Sequence, residues 1–128
     1  MAINTSLAFP DSGHDGGIAV GLLTAGVAAG TGAATVFTSG ADGARLAGIS
    51  FAPCEQIASG YIHVYYYNGT SNILAGSLRI PQPWSVGDAP LVWRNPFPNE
   101  FVNATRLFKA GKDGTDGVIH ALPFASNY

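Results

Sequence analysis

Tyr61-Ile62-His63-Val64-Tyr65-Tyr66-Tyr67-Asn68-Gly69-Thr70-Ser71 leads into Asn72-Ile73-Leu74-Ala75-Gly76-Ser77-Leu78-Arg79-Ile80. Aromatic and β-branched residues suit a pleated, half-buried surface, so Tyr61 to Tyr67 reads as a strand. Side chains alternate across a strand, which places Tyr61, His63, Tyr65 and Tyr67 on one face and Ile62, Val64 and Tyr66 on the other. Asn68-Gly69 tolerates the positive φ of a tight turn and predicts an antiparallel hairpin with Ile73 to Ile80. Strict alternation then puts Leu74, Leu78 and Ile80 on a common face.

The same rhythm extends outward. Thr35 to Ser39 forms a short apolar run, and Gly40-Ala41-Asp42-Gly43 turns the chain into Arg45 to Ala52. There Leu46 falls on one parity and Ile49 and Phe51 on the other, so a bulge at Gly48 is needed to bring all three to one side. Pro81-Gln82-Pro83 ends the hairpin's second strand. Leu91 to Arg94, Thr105 to Ala110 and Val118 to Ala125 supply further strands, separated by Asn95-Pro96-Phe97-Pro98 and Gly111-Lys112-Asp113-Gly114. No apolar period of 3.6 survives this punctuation after Ala33, so no ordinary helix is expected. Short strands between regular turn signals predict an all-β, antiparallel β-sandwich, jelly-roll-like, with about seven or eight strands.

Residues 1–32 read differently from the sandwich domain at 33–128. Pro10 to Gly17 is turn chemistry, Ile18 to Thr24 holds a possible short strand, and Gly26 to Gly32 is a flexible connection. Few large side chains occur there, so the segment is expected to act as an N-terminal arm that contributes little to its own core and lies against a neighbouring chain. Ile18 to Phe37 carries no charge, but it is rich in Gly, Ala and Thr and lacks interfacial Lys, Arg, Trp or Tyr anchors, which argues against a membrane span.

Charged residues make up only 11% of the 128-residue chain, so much of the surface must be covered by Gly, Ser, Thr, Asn and Ala. Such a surface desolvates cheaply against a partner. A net charge of -2 with six scattered Lys and Arg residues forms no stripe for a phosphate backbone, so no nucleic-acid partner is expected. The single cysteine, Cys54, permits no intrachain disulfide and reads as a small buried hydrophobe with a free thiol. No basic residue precedes Arg45, and no signal or transit peptide is visible.

The residues that carry chemistry do not assemble on paper. Ser12, His14 and Asp15 are nucleophile, base and acid by type, but neighbours in one loop rarely reach triad geometry. Glu55 and Glu100 sit in different connections. His14, His63 and His120 lack the close companions of a metal site. Asp11 to Gly16 and Asp113 to Gly117 resemble pieces of calcium loops without the full oxygen series. Gly26 to Gly32 lacks the Gly-Lys-Ser/Thr ending of a phosphate loop. The expectation is a non-enzymatic protein with no catalytic residues, metal or cofactor. Its candidate interaction surface is Tyr61, His63, Tyr65 and Tyr67 on the strand face, with Trp84 and Trp93 closing one end of the sandwich.

Val36-Phe37-Thr38-Ser39-Gly40-Ala41-Asp42-Gly43-Ala44-Arg45-Leu46 resembles the opening of small β-sandwich structural proteins of tailed bacteriophages, of the capsid cement or decoration type. The aromatic strand ending at Asn68-Gly69-Thr70, the leucine-bearing strand ending in Ile80-Pro81 and the terminal Tyr128 continue the likeness loosely over residues 35 to 128. The long glycine/alanine-rich front, Pro96-Phe97-Pro98 and Ala125-Ser126-Asn127 depart from that pattern. The resemblance implies a virion protein on the capsid exterior, made in the host cytoplasm, that binds the major capsid protein and stabilises the head. It implies a homo-oligomer, dimer or trimer, with no membrane partner. A tail- or fibre-associated, carbohydrate-binding module is the alternative it leaves open.

Overall fold

The structure, a computed structural model, describes residues 12–14, 18–58, 60–113 and 117–128. The loop groups Ser12–His14–Asp15 and Asp11 to Gly16, and the middle of Asp113 to Gly117, lie outside the described side chains. The chain is an all-β sandwich. One sheet runs in the order β1 (Ser12–His14), β11 (Ile119–Asn127), β5 (Ala44–Pro53) and β8 (Leu91–Arg94). β2 (Ile18–Ala19) also pairs with β11, and β9 (Phe101–Val102) with β5. We call this sheet A. Sheet B runs β3 (Gly21–Leu22), β10 (Leu107–Lys112), β6 (Tyr61–Tyr67) and β7 (Asn72–Arg79), and β4 (Ala34–Thr38) also pairs with β10. The pairings are antiparallel except β3 with β10, which is parallel. The longer strands fall where the apolar runs stand. β2 and β3 lie within the Ile18 to Thr24 stretch read as a short strand, and the additional ones, β1 and β9, have two or three residues each, too few to carry an alternation. Pro98–Glu100 forms a single 3₁₀ turn.

β6 and β7 pair as the hairpin that Asn68-Gly69 demands, from Tyr67 opposite Asn72 to Tyr61 opposite Arg79. The Asn68 side chain shapes the turn, its Oδ1 accepting from Thr70 N at 3.0 Å and Ser71 N at 2.9 Å. Gly69 takes φ 96°, which a Cβ disfavours. The register shifts between Val64 and Tyr65, where Val64 faces Gly76 but Tyr65 faces Leu74. Ala75 is therefore an extra residue on β7. This corrects the expected face: Leu78 and Ile80 pack inward, whereas Leu74 lies beside Tyr65 on the outer side and is exposed.

The bulge foreseen at Gly48 exists. Phe124 faces Gly48 and Ala125 faces Leu46, so Ala47 has no partner of its own on β11. Leu46, Ile49 and Phe51 are all buried as a result. Gly48 has a second reason to lack a side chain, since a Cβ there would collide with the Trp93 carbonyl oxygen of β8.

Between the sheets, Leu46, Ile49, Phe51, Ile119 and Ala121 of sheet A meet Ile62, Val64, Phe108 and Ala110 of sheet B. Trp93 and Phe108 join the layers with ring centroids 5.5 Å apart, and Tyr66 and Phe97 close over Phe108 at 5.3 and 5.9 Å. Such aromatic contacts add about 0.5–1.5 kcal/mol each beyond area burial. Trp93 fits because Gly76 faces it: a Cβ at Gly76 would lie 2.6 Å from the indole Nε1.

Of the front end expected as an arm, β1 pairs with β11 and residues 18–32 lie against the sandwich. Val20 is buried in the core, and its N–H donates to Ile119 O at 2.8 Å. β2 extends sheet A and β3 extends sheet B. The glycine-rich connection folds over the outer face of sheet B, tied by Leu23 N to Lys112 O at 2.9 Å and Tyr65 Oη to Val27 O at 2.6 Å. Small residues permit close backbone approach, and here the surface approached is the chain's own.

Candidate functional site

Of the six residues proposed as an interaction surface, four are interior. Tyr65, Trp84, Trp93 and His63 are buried, leaving Tyr61 exposed and Tyr67 half-buried. Alternation correctly divided β6 into two faces, but the outer one is roofed by the glycine-rich connection at Tyr65. Trp84 bridges to Ile57 and donates its Nε1–H to Ala89 O at 3.0 Å, so it anchors a loop. Trp93 is a core residue of β8. Tyr67 lies under the Lys109 ammonium, 4.9 Å from the ring centroid. No continuous aromatic platform reaches solvent in this row. Cys54, expected inside, is exposed just beyond β5 because the chain leaves the sheet at Pro53.

The open surface is instead the outer face of sheet A. Outward residues of β11 are His120, Leu122 and Phe124, opposite Ala52, Ser50 and Gly48 of β5. Ser50 in turn faces Val92, and Gly48 faces Arg94. Leu122, Phe124, Val92 and the nearby Ile18 are exposed large apolar side chains. The small residues on β5 leave a shallow groove of about 750 Å³ lined by Ile18, Ala19, Ser50, Ala52, His120 and Leu122. A second depression of about 330 Å³ continues past Phe124 to Arg45 and Ser126. Arg45 borders the second depression and is held by Glu100 at 2.7 Å, and Arg94 lies opposite Gly48.

On the outer face of sheet B the hairpin assembles a second constellation. His63 Nδ1 lies 2.7 Å from Ser77 Oγ, and His63 Nε2 lies 3.2 Å from Asp113 Oδ2. Asp113 is fixed by Tyr61, whose N–H donates to Oδ1 at 2.6 Å and whose carbonyl accepts from Asp113 N at 3.2 Å. The Tyr61 and His63 rings stack with centroids 5.9 Å apart. Sequence reading missed this group because its members come from β6, β7 and the end of β10. The hairpin carried half of the signal. Continued without a bulge from Tyr67 opposite Asn72, it sets His63 against Gly76, and the extra Ala75 moves Ser77 into that place.

Nearby, burial raises the pKa of the Tyr65 hydroxyl above the ordinary tyrosine value, and the Asp113 charge adds to the shift. Lys112, at the end of β10, is buried and donates from Nζ to the Gly117 carbonyl. Among the described residues no three His, Cys, Asp or Glu side chains converge as a metal-binding group. Among them, too, no helix is long and apolar enough to cross a membrane. Compared with protein-family models, curated proteins and solved structures, the chain gives no match.

Proposed function

We propose that this chain is a virion structural protein of the capsid cement kind, which seats the outer face of sheet A on the major capsid protein. The observation that carries the reading is the exposure of Ile18 and Leu122 around a groove floored by Ser50 and Ala52, with Val92 and Phe124 exposed on the same face of the sheet. Contiguous apolar surface of this type marks interaction sites, and each Å² buried stabilises the contact by about 25 cal/mol before ordering costs. The scarcity of charge supports the same reading, since little ionic hydration has to be removed on docking. The resemblance of Val36 to Leu46 to phage structural proteins supplies the partner class. The tyrosine row of β6, with Tyr65 and His63 covered, offers little to a sugar ring.

Co-pelleting tests the proposal. Purified protein is mixed with heads assembled from the major capsid protein of the same genome. Saturable binding that falls at least about tenfold in Leu122→Asp, with an unchanged thermal transition, is expected. Absence of binding, or a Leu122→Asp variant that binds as well as the parent, would overturn it. A glycan-array signal abolished by Tyr61→Ala would move the assignment to the carbohydrate-binding alternative.

A further inference from the structure

We propose that Asp113, His63 and Ser77 act as orienting acid, base and nucleophile, so that Ser77 accepts an acyl or phosphonyl group from an activated ester. This capability goes beyond capsid binding and does not depend on it. A carboxylate only accepts hydrogen bonds, so the contact to Asp113 Oδ2 assigns the proton of the neutral imidazole to Nε2. Nδ1 is then the lone-pair nitrogen, 2.7 Å from the hydroxyl whose proton it must take. These are the roles of the Ser-His-Asp template with the two ring nitrogens exchanged.

The fold holds the three in place by register. Ile80 N donates to Gly60 O, so Ile62 and Leu78, two residues along each strand, again turn their backbone groups toward each other. His63 and Ser77 form the intervening pair, in which the side chains approach most closely and the backbone groups turn away. Asp113 is locked by its two bonds to Tyr61, and the Tyr61 ring covers one face of the imidazole. The base is 6% exposed, whereas Ser77 is open to solvent on the last strand of sheet B. Its own N–H, turned away from β6, lies beside the attacking oxygen, as in the template where the nucleophile's N–H helps to bind the oxyanion.

In the reaction the Ser77 Oγ forms a bond to the acyl carbon while its proton passes to His63 Nδ1. Collapse of the tetrahedral species breaks the bond to the leaving oxygen, which takes that proton. Water attacks the acyl-serine by the same path, releasing the acid and restoring Ser77. With a fluorophosphonate, phosphorus takes the place of carbon, and fluoride leaves with the proton. An open strand edge favours small esters with good leaving groups, such as aryl acetates.

The full-length protein is incubated with a fluorophosphonate probe at neutral pH and read by intact mass and peptide mapping, with trypsin as positive control. One phosphonyl group per chain is expected on Ser77. It should be absent from Ser77→Ala and formed at least about tenfold more slowly in Asp113→Asn, with folding checked by circular dichroism. The exposed Ser71 in the adjacent turn is the internal reference. No adduct under conditions that label trypsin would overturn the proposal, as would an adduct that persists in Ser77→Ala or labelling of Ser71 at the rate of Ser77. Should Asp113→Asn unfold, the Ser77 to Ser71 rate ratio in the parent protein decides. Head binding by Ser77→Ala, measured in parallel, keeps this outcome separate from the capsid assignment.

Discussion

The Tyr65 hydroxyl donates to the Val27 carbonyl oxygen across 2.6 Å, joining the central hairpin to the glycine-rich connection that covers it. Asn72 Nδ2 adds a second tie to Ala29 O at 3.1 Å, and Gly30 packs against the Tyr65 ring, where a Cβ would lie 3.1 Å from ring carbons. A segment of small residues is thereby made part of the folded surface.

Tyr65→Phe keeps the ring and removes the tie. Stability should fall by about 0.5–1.5 kcal/mol, the usual net value of one such hydrogen bond. Amide exchange should quicken across residues 23–33 and stay nearly unchanged at Phe108 and Ala110. Equal acceleration everywhere would contradict a local role for the bond.

The same phenol makes stability sensitive to alkali. Its folded pKa is raised, so at high pH the unfolded chain loses this proton first. The contribution is fully present below the unfolded value of about 10 and is lost as pH rises through the folded pKa. Denaturant midpoints measured from pH 8 to 11 should decline more steeply above pH 10 in the parent than in Tyr65→Phe.

Gly76→Ala places a methyl group against Trp93 Nε1 at the seam between the sheets. Overpacking of this kind destabilises by about 1–3 kcal/mol. Differential scanning calorimetry on Gly76→Ala and on Gly87→Ala, where a Cβ meets nothing within 4 Å but φ is 96°, separates steric collision from turn strain. The Gly76 variant should also change the near-ultraviolet signal of Trp93.

Glu100→Gln should change stability by less than about 1 kcal/mol, because the Arg45 side chain is 56% exposed and solvent screens the pair. The difference from the parent should shrink further between 0.05 and about 1 M salt, where the screening length falls to about 3 Å.

Cys54 should titrate as one thiol per folded chain with a disulfide reagent and no denaturant, since the residue is exposed. A thiol that appears only on unfolding would place it inside.

Alternation and turn chemistry made the strands legible. Tyr61 to Tyr67, Asn68-Gly69 and the parity break around Gly48 each report a local requirement: a pleat, a positive φ, an extra residue. Those requirements are met within a few residues, so the sequence by itself determined the all-β class, the central hairpin and the bulge in β5. It also separated Ile62 and Val64 from Tyr65 on β6. What covers a face is a different matter, set by segments far apart in the chain. Tyr65 is buried by residues 27–30, Trp93 by Gly76, and His63 is fixed between Ser77 and Asp113. A glycine-rich run reads alike whether it lies on its own sheet or on a neighbour, because only the three-dimensional packing specifies its partner. The insertion of Ala75 into β7, which no parity break announces, turned Leu78 inward, away from the outward Leu74, and set Ser77 opposite His63. That one-residue shift was decided by the tertiary structure, where Gly76 must meet Trp93 across the core.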